Sequence, residues 1–345
     1  PPFVVPPLAG IGHSAPCVLD HPVRYTLEDR NLCVLDTPAW SVNGSAEQPV
    51  NEILQVDRKV RQQFGVPIRA GDMIQPWFRK QQALPVLGKV TLCFRLKVDA
   101  RGLEALANAH LAMETPERFA VTINGRPVET GKDLGWWVDV AFRRLAVPKG
   151  MFDEGDNEIA ITCDFSEDIN LEAIYLLGDF AVALEGELPC LSSLPDTLKP
   201  ASVVDQGLPY YSGNLIYHYD IPQDWIGQRA TVEIPAYEGA YVKVSSGQEQ
   251  KLIPWRPNRA ELTLGQRLDV SVCITRKNTF GPLHLKNPRP NATGPGHFTS
   301  GAEHFSLAPV FLNAGLLAPV KLADALNVGL RPTTTGGARV ESFYR

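Results

Sequence analysis

Residues 153–165 read DEGDNEIAITCDF, a polar turn around a glycine that leads into an alternating run. One side of that run is apolar and consists of Ile159, Ile161, Cys163 and Phe165. Alternation with a period of two predicts a half-buried β-strand. A second stretch, residues 264–275, reads LGQRLDVSVCIT and has the same succession of glycine, polar residues and alternating strand. The sequence therefore predicts two related β-modules.

The elements around these two stretches also repeat in order. The first module presents a strand, a hairpin, a tryptophan segment and the glycine turn with its strand at residues 89–98, 119–128, 136–142 and 153–165. The second presents the corresponding segments at residues 215–222, 240–244, 253–257 and 265–275. A repeated order is harder to produce by chance than a single motif, so we interpret the chain as a duplicated sandwich.

The predicted fold is mainly β, with two tandem β-sandwiches and one clear helix between Asn51 and Gly65. We expect an irregular linking segment with that helix at residues 1–85 and a first sandwich at 86–188. A second sandwich is expected at 200–345, with a long loop at 276–298. Residues 188–200 are expected to link the two sandwiches. Long loops in compact domains are commonly functional, which draws attention to 276–298.

Composition narrows the class of protein. The 345 residues include 29 prolines and 28 glycines, which favour short connections over long helices. A formal net charge of -5, without a basic stripe, gives no footprint for nucleic acid. No apolar run approaches the roughly 18 residues that cross a bilayer, so no membrane partner is expected.

The six cysteines are scattered without any C-x-x-C pair. Free buried thiols are expected, because an unpaired cysteine behaves as a small hydrophobic residue. This favours a soluble protein in a reducing compartment such as the cytoplasm. The chain starts without an initiator methionine or a signal-peptide pattern, which we interpret as a piece of a larger protein.

Three motifs of the first module carry a resemblance to a known family. They are the Val-Thr-Ile-Asn-Gly hairpin at 121–125, the Gly-Trp-Trp-Val-Asp segment at 135–139 and the Gly-Asp-Asn-Glu-Ile turn at 155–159. Together they resemble the galactose-binding-like jelly rolls that accompany large glycoside hydrolases of the β-galactosidase and α-L-rhamnosidase types. The resemblance covers about residues 85–285. In the second copy, residues 235–239 stand where the Asn-Gly turn is expected, and the asparagine after Gly265 is absent.

The resemblance implies a non-catalytic, C-terminal region whose partners are an N-terminal catalytic domain, missing here, and carbohydrate. Aromatic residues are candidates for stacking on sugar rings, because an aromatic face matches the apolar C-H face of a pyranose. Polar residues of the long loop are candidates for lining a pocket. The expected carbohydrate-binding residues are Trp136, Trp137, Trp255, Tyr210, Tyr211, Arg276, Asn278, His284 and His297.

Adjacent strand residues point to opposite faces, so at most one of Trp136 and Trp137 is expected in the sandwich core. The loop histidines lack the tight spacing of familiar zinc sites, and no metal is expected there. No cofactor is expected, with a structural calcium ion at the acidic turn as the alternative. That turn would offer the carboxylates of Asp153, Glu154, Asp156 and Glu158.

Two other function classes stay open. The chain could be a glycosidase, which needs two carboxylates roughly 5 to 10 Å apart, with the site between the modules. The acidic candidates are Asp139, Glu172, Asp179 and Glu238, and nothing in the sequence pairs any two of them. The chain could also be a structural or adhesion module, for which a large exposed apolar patch would be diagnostic.

Overall fold

The computed structural model describes residues 15–68, 84–290, 294–298 and 301–325. The fold is mainly β, as predicted. The first fourteen strands are β1 (Cys17–Leu19), β2 (Arg24–Leu27), β3 (Asn31–Leu35), β4 (Ala39–Val42), β5 (Gly88–Val98), β6 (His110–Glu114), β7 (Ala120–Ile123), β8 (Arg126–Val128), β9 (Trp136–Trp137), β10 (Asp139–Ala146), β11 (Gly155–Phe165), β12 (Ile174–Gly178), β13 (Phe180–Glu185) and β14 (Leu188–Ser193).

The second half of the chain continues the β structure. Its strands are β15 (Gly213–Asp220), β16 (Arg229–Glu233), β17 (Tyr237–Glu238), β18 (Val242–Ser246), β19 (Glu249–Ile253), β20 (Arg259–Thr263), β21 (Arg267–Ile274), β22 (Gly315–Leu316) and β23 (Val320–Asp324). The α-helices among the described residues are α1 (Ile53–Phe64), α2 (Ala100–Ala105) and α3 (Lys277–Phe280). Short 3₁₀ turns occupy Pro116–Arg118, Val203–Gln206, Gln223–Trp225 and Pro295–His297.

These strands form two pairs of facing sheets. The first pair has the orders β3-β12-β6-β10-β9 and β13-β14-β5-β11-β7-β8, with β4 also beside β5. The second pair has the orders β1-β23-β16-β20 and β19-β18-β21-β15-β2, and β17 pairs separately with β22. We call these pairs the first and second sandwich. Each has its own hydrophobic core, so the burial of apolar strand faces is completed within each sandwich.

The predicted repeat of order extends to the pairing of strands. In one sheet, β5-β11-β7-β8 of the first sandwich corresponds to β15-β21-β18-β19 of the second. In the facing sheet, β3-β12-β6-β10 corresponds to β1-β23-β16-β20. The two glycine-turn strands, β11 and β21, are therefore equivalent central strands, which is why both carry a continuous apolar face.

The hairpin turn of the second copy differs from the expectation. Asn124 and Gly125 turn between β7 and β8 with φ of 50° and 73°, the left-handed values that a two-residue hairpin requires. In the second sandwich the matching turn is Gly247-Gln248, between β18 and β19, with Gly247 at φ 58°. Residues 235–239 instead lie in the connection that contains β17.

The segment 1–85 contains more β structure than the sequence indicated. Helix α1 is present, with Glu52 as its N-cap and Gly65 in the left-handed conformation at its end. The four strands β1 to β4 also fall here, and they pair with both sandwiches: β1 and β2 with the second, β3 and β4 with the first. The described part of the chain thus starts in the second sandwich, forms the first and then returns to the second. Strands of three to five residues are too short for a periodicity to identify.

The expected linker at 188–200 also contributes to a sheet. Its first half is β14, which pairs antiparallel with β13 and parallel with β5. Only Leu194–Pro200 then connects the first sandwich to the rest of the second, and Leu198 of that connection is bridged to Val23.

Candidate functional site

Among the described residues, nine large hydrophobic side chains are exposed, and two of these are tryptophans. Trp255 has 75% of its surface exposed and Trp136 has 56%. Both lie in equivalent connections, since Trp136 precedes β10 and Trp255 precedes β20. Large exposed aromatic residues are uncommon on soluble proteins unless they bind something, so these two connections are the first places to look for a site.

A groove of about 380 Å³ lies beside Trp255. Its apolar lining consists of Leu252, Ile253, Pro254, Trp255, Pro257 and Ala260. Leu252 is also exposed, at 57%, so the rim of the groove presents both an aliphatic and an aromatic surface to solvent. The chain reaches the rim because β19 ends at Ile253 and the connection to β20 must cross from one sheet of the second sandwich to the other.

Three polar residues complete the lining of this groove: Thr231, Arg259 and Glu261. Arg259 and Glu261 are exposed side chains of β20. Thr231 of β16 is only 3% exposed, and its hydroxyl has no hydrogen-bond partner within the described part of the chain. A large aromatic surface next to a few polar groups is the usual composition of a small-molecule or sugar site.

The two tryptophans of the first sandwich separate as the alternation rule predicted. Trp136 is exposed, whereas Trp137 packs against the first core. The Trp137 ring centroid lies 5.1 Å from that of Tyr175 and 5.8 Å from that of Phe280. Trp137 is therefore a packing residue, and Trp136 shares its surroundings with exposed Leu134 and Val140.

Tyr210 and Tyr211 lie in the two cores. Tyr210 is 2% exposed and packs in the first core, with its ring 5.0 Å from that of Phe311. Tyr211 is 1% exposed in the second core, where its hydroxyl donates to the carbonyl of Asn214 at 2.9 Å. Burial raises the pKa of the Tyr211 hydroxyl above its usual range. Neither ring presents a face on which a sugar could stack.

The described part of the long loop, 276–290 and 294–298, packs against the first sandwich. The Asn278 side chain exchanges two hydrogen bonds with the backbone of Leu312, at 2.8 and 3.0 Å. The Phe280 ring stacks on that of Phe142, with centroids 5.7 Å apart. Arg276 is exposed, and the ring of His297 only closes a local turn by accepting from the Gly294 amide at 3.0 Å. These three candidates, Arg276, Asn278 and His297, therefore do not converge on one pocket.

His284 joins this loop to the start of the chain. Its Nε2 lies 3.0 Å from Oδ2 of Asp36, and its Nδ1 lies 2.9 Å from the carbonyl of Ser306. Burial alone would lower the pKa of His284, but the hydrogen bond and charge of Asp36 raise it to about 9. Burial raises the pKa of the neighbouring Glu52 to about 7, although its hydrogen bonds from the Leu54 and Gln55 amides oppose the shift. Asp36 and His284 thus form a buried ion pair that joins the segment after β3 to the long loop after α3.

Arginine side chains pair with acidic residues in and near the turn that was considered as a cation site. Oδ2 of Asp153 accepts from Arg126 at 3.0 Å. The group Glu47, Cys93 and Glu158 has the spacing of a metal site, but Arg95 donates to both Glu47 oxygens, at 2.9 and 2.7 Å, and to Glu158 at 3.3 Å. A guanidinium already supplies the positive charge there.

The four acidic candidates for glycosidase chemistry lie on separate elements. Asp139 of β10 accepts a hydrogen bond from the Ala141 amide at 2.9 Å. Asp179 lies in the turn between β12 and β13, where its carboxylate is 3.9 Å from the guanidinium of Arg30. Glu238 of β17 pairs with Arg289 at 2.8 Å. Glu172 precedes β12, where its charge acts on the Tyr175 hydroxyl.

Sequence reasoning found Trp255 but not its groove. The polar residues of the groove lie on two strands, β16 and β20, whose pairing could not be predicted from the sequence: Thr231, Arg259 and Glu261. Arg259 is not part of any recognisable sequence motif. One signal was present, because a tryptophan flanked by Pro254 and Pro257 between two strands cannot join a sheet and so must lie at its margin.

Within the described ranges, no helix has the length and apolar character needed to span a bilayer.

No protein-family model matches the chain, and no curated protein matches it. Solved structures do match. The β-D-mannosidase of Dictyoglomus thermophilum is 12% identical, with a TM-score of 0.29, over 75% of this chain and 32% of that one. A β-glucuronidase of Ruminococcus gnavus in complex with uronic deoxynojirimycin is 10% identical, with a TM-score of 0.25, over 73% of this chain and 40% of that one.

A β-D-glucuronidase of Dictyoglomus thermophilum gives similar figures: 13% identity and a TM-score of 0.25, over 72% of this chain and 39% of that one. The chain therefore spans less than half the length of the enzymes it matches. The likeness is a loose one, to the fold of parts of glycoside hydrolases.

Proposed function

We propose that the chain is a non-catalytic β-sandwich region of a glycoside hydrolase, which supports the catalytic domain and binds carbohydrate in the groove beside Trp255. The observation that carries the proposal is the 75% exposure of Trp255 at the rim of a groove of about 380 Å³ with polar groups in its lining. An exposed indole offers a flat apolar face to a pyranose, and the neighbouring polar side chains can bond its hydroxyls.

The test is calorimetric titration of the full chain with a panel of neutral and acidic oligosaccharides. Trp255→Ala should weaken binding about fivefold or more, because stacking on a large aromatic residue contributes of the order of 1 kcal/mol or more. Trp136→Ala is the matched control, since it removes an exposed tryptophan from the equivalent connection of the other sandwich. Unchanged affinity in Trp255→Ala would place the binding elsewhere, and no saturable binding at all would leave only the supporting role.

A protein-binding role is the second candidate, and one observation favours it. Leu134, Trp136 and Val140 are 43%, 56% and 74% exposed around β9 and β10, at the edge of a sheet of the first sandwich. An exposed apolar surface of this kind commonly marks a contact with another protein. Val140→Asp should then weaken association with the catalytic domain and leave the sugar titration unchanged.

The non-catalytic part of the proposal has its own test. Purified chain should not hydrolyse aryl glycosides of the sugars that it binds. Turnover that a single carboxylate substitution abolishes would overturn it and support a glycosidase site between the modules.

A further inference from the structure

We infer that the groove beside Trp255 takes a sugar that carries a carboxylate, a uronic acid unit, with Arg259 as the residue that recognises its charge. The inference rests on the proposed function, because it names the class of sugar for the same groove. It depends on three features: which side chains share a face, which charges there are already paired, and which polar atom lacks a partner.

The register of β16 and β20 places the polar lining on one face of the sheet. Thr231 is opposite Glu261, and Glu233 is opposite Arg259. Side chains of directly opposed residues share a face, and so do residues two apart on one strand. Arg259, Glu261 and Thr231 thus project to the same side, and Trp255 closes that side from the connection that leads into β20.

The guanidinium of Arg259 is not paired. It is exposed, and it forms no ion pair with any described residue, including the opposed Glu233. Arg256, next to Trp255, is likewise exposed and without an ion pair in the described ranges. By contrast, Arg229 at the far end of the same strand pair lies 2.9 Å from Glu249. Two unpaired arginines therefore lie beside the tryptophan, and Glu233 and Glu261, the acidic residues on the same face, also form no ion pair within the described ranges.

A guanidinium next to an aromatic platform matches the chemistry of a uronate. Its planar fork donates two parallel hydrogen bonds to a carboxylate, and such charge-assisted bonds are about twice as strong as neutral ones. The indole of Trp255 would contact the apolar ring face at the same time. The Thr231 hydroxyl, buried and without a partner, marks a point on the groove floor where a polar ligand atom would be accommodated.

Glu261 fixes the orientation and provides a sharp test. It lies two residues from Arg259 on the same face, so its carboxylate would repel a ligand carboxylate and accept bonds from sugar hydroxyls instead. The uronate group would therefore point toward Arg259, the arginine in the lining of the groove. For a neutral sugar, Glu261 would act only as an acceptor, and removing its charge would bring no gain.

The experiment is calorimetric titration of the full chain with trigalacturonate and with its fully methyl-esterified form, which keeps the shape and removes the charge. At low salt the chain should bind the acid form at least about ten times more tightly than the ester. This difference in affinity should become smaller as salt is added. Arg259→Gln should reduce that preference severalfold, because it should weaken binding of the acid form more than binding of the ester. Glu261→Gln should strengthen binding of the acid form, and Arg101→Gln, an exposed arginine on α2, should change neither.

Equal binding of the acid and ester forms would overturn the inference and leave the proposed function intact. Tighter binding of a sulfated neutral trisaccharide than of trigalacturonate would also overturn it, because the anion recognised would then be a sulfate ester. Failure of every sugar to bind would remove both the inference and the carbohydrate-binding half of the proposed function. Trp255 and Arg259 are exposed, so their variants are expected to fold normally.

Discussion

The two sandwiches share a strand order and differ most in one connection. After β11, residues 166–173 lead directly to β12. After the equivalent strand β21, residues 275–319 intervene before β23, and they include α3 and β22. The longer connection contributes Phe280, Leu283 and Phe311 to the core region of the first sandwich. The segment that distinguishes the second copy thus fastens the two sandwiches together.

This difference separates two roles that the sequence alone had combined. The long connection of the second sandwich was predicted to be a binding loop, yet the side chains of Asn278, His284 and His297 bond to other groups of the protein. The tryptophan connections, which both sandwiches possess, remain open to solvent. Substitutions can test the contacts by which the long connection joins the sandwiches, the hairpin turns of both copies, and the backbone strain in the tryptophan connection of the first copy.

The largest effect is expected for His284→Ala, which removes one member of the buried pair with Asp36. Breaking a buried ion pair from one side leaves an uncompensated charge and costs about 3 to 5 kcal/mol. Urea-induced unfolding should show this loss in free energy. His297→Ala is the matched control in the same connection, and its local bond to the Gly294 amide predicts a loss below about 1 kcal/mol. Equal losses would mean that His284 does not fasten the sandwiches.

The same cluster predicts a decline in stability as pH rises. The pKa of His284 is raised to about 9 and that of Glu52 to about 7, so the folded state holds both protons more tightly than the unfolded chain. The Glu52 contribution is fully present below about pH 4.3, near the unfolded pKa of glutamate, and is lost as pH rises through 7. The His284 contribution is fully present below about pH 6.5 and is lost through 9.

Unfolding free energies measured from pH 5 to 9 should therefore fall by on the order of 5 kcal/mol, with about half from each group. Glu52→Gln should remove the part of the decline that occurs up to about pH 7, and His284→Gln should remove the part between about pH 7 and pH 9. Cys33, Tyr175 and Tyr210 also face Asp36 and titrate at higher pH, so the comparison is made below pH 9. A flat profile for the unmodified chain would contradict the assignment.

The hairpin turns provide the next comparison. In the first sandwich Asn124 accepts from the Glu158 amide at 2.9 Å and donates to Asn157 at 2.7 Å. In the second, Ser246 accepts from the Gly265 amide at 2.8 Å and donates to the Arg267 carbonyl at 2.6 Å. Both side chains tie a hairpin to its glycine turn, through different residue types.

Asn124→Ala should cost about 2 kcal/mol, because it loses these bonds and places alanine at positive φ, and Ser246→Ala about 1 kcal/mol. Thermal unfolding would measure both. Asn124→Gly separates the two causes, since glycine tolerates the backbone conformation but lacks the side-chain bonds. Full stability in Asn124→Gly would show that only the conformation matters.

The strand order was predictable because strands with continuous alternation, such as β5, β11 and β21, are long enough to show a period. Strand β6 (His110–Glu114) was not predictable, because its five residues, HLAME, show no alternation. The pairing of Asp36 with His284 was beyond sequence reasoning, because nothing local in either segment indicates the other. Trp255 was identified as an aromatic candidate in the segment that corresponds to the Trp136 segment, but its groove depends on the register of β16 with β20.

The smallest expected effect concerns strain in the tryptophan connections. Val138, between Trp137 and β10, has φ of 61°, a left-handed conformation that disfavours a β-branched residue. Within the described residues, the Trp255 connection has no such position. Val138→Gly should therefore stabilise the chain by about 1 kcal/mol, measured as a raised midpoint of thermal unfolding. Ala141→Gly is the control, since the same change at an ordinary strand position should destabilise by about 0.5 to 1 kcal/mol. A loss of stability in both variants would contradict the prediction and show that Val138 contributes packing that outweighs its strain.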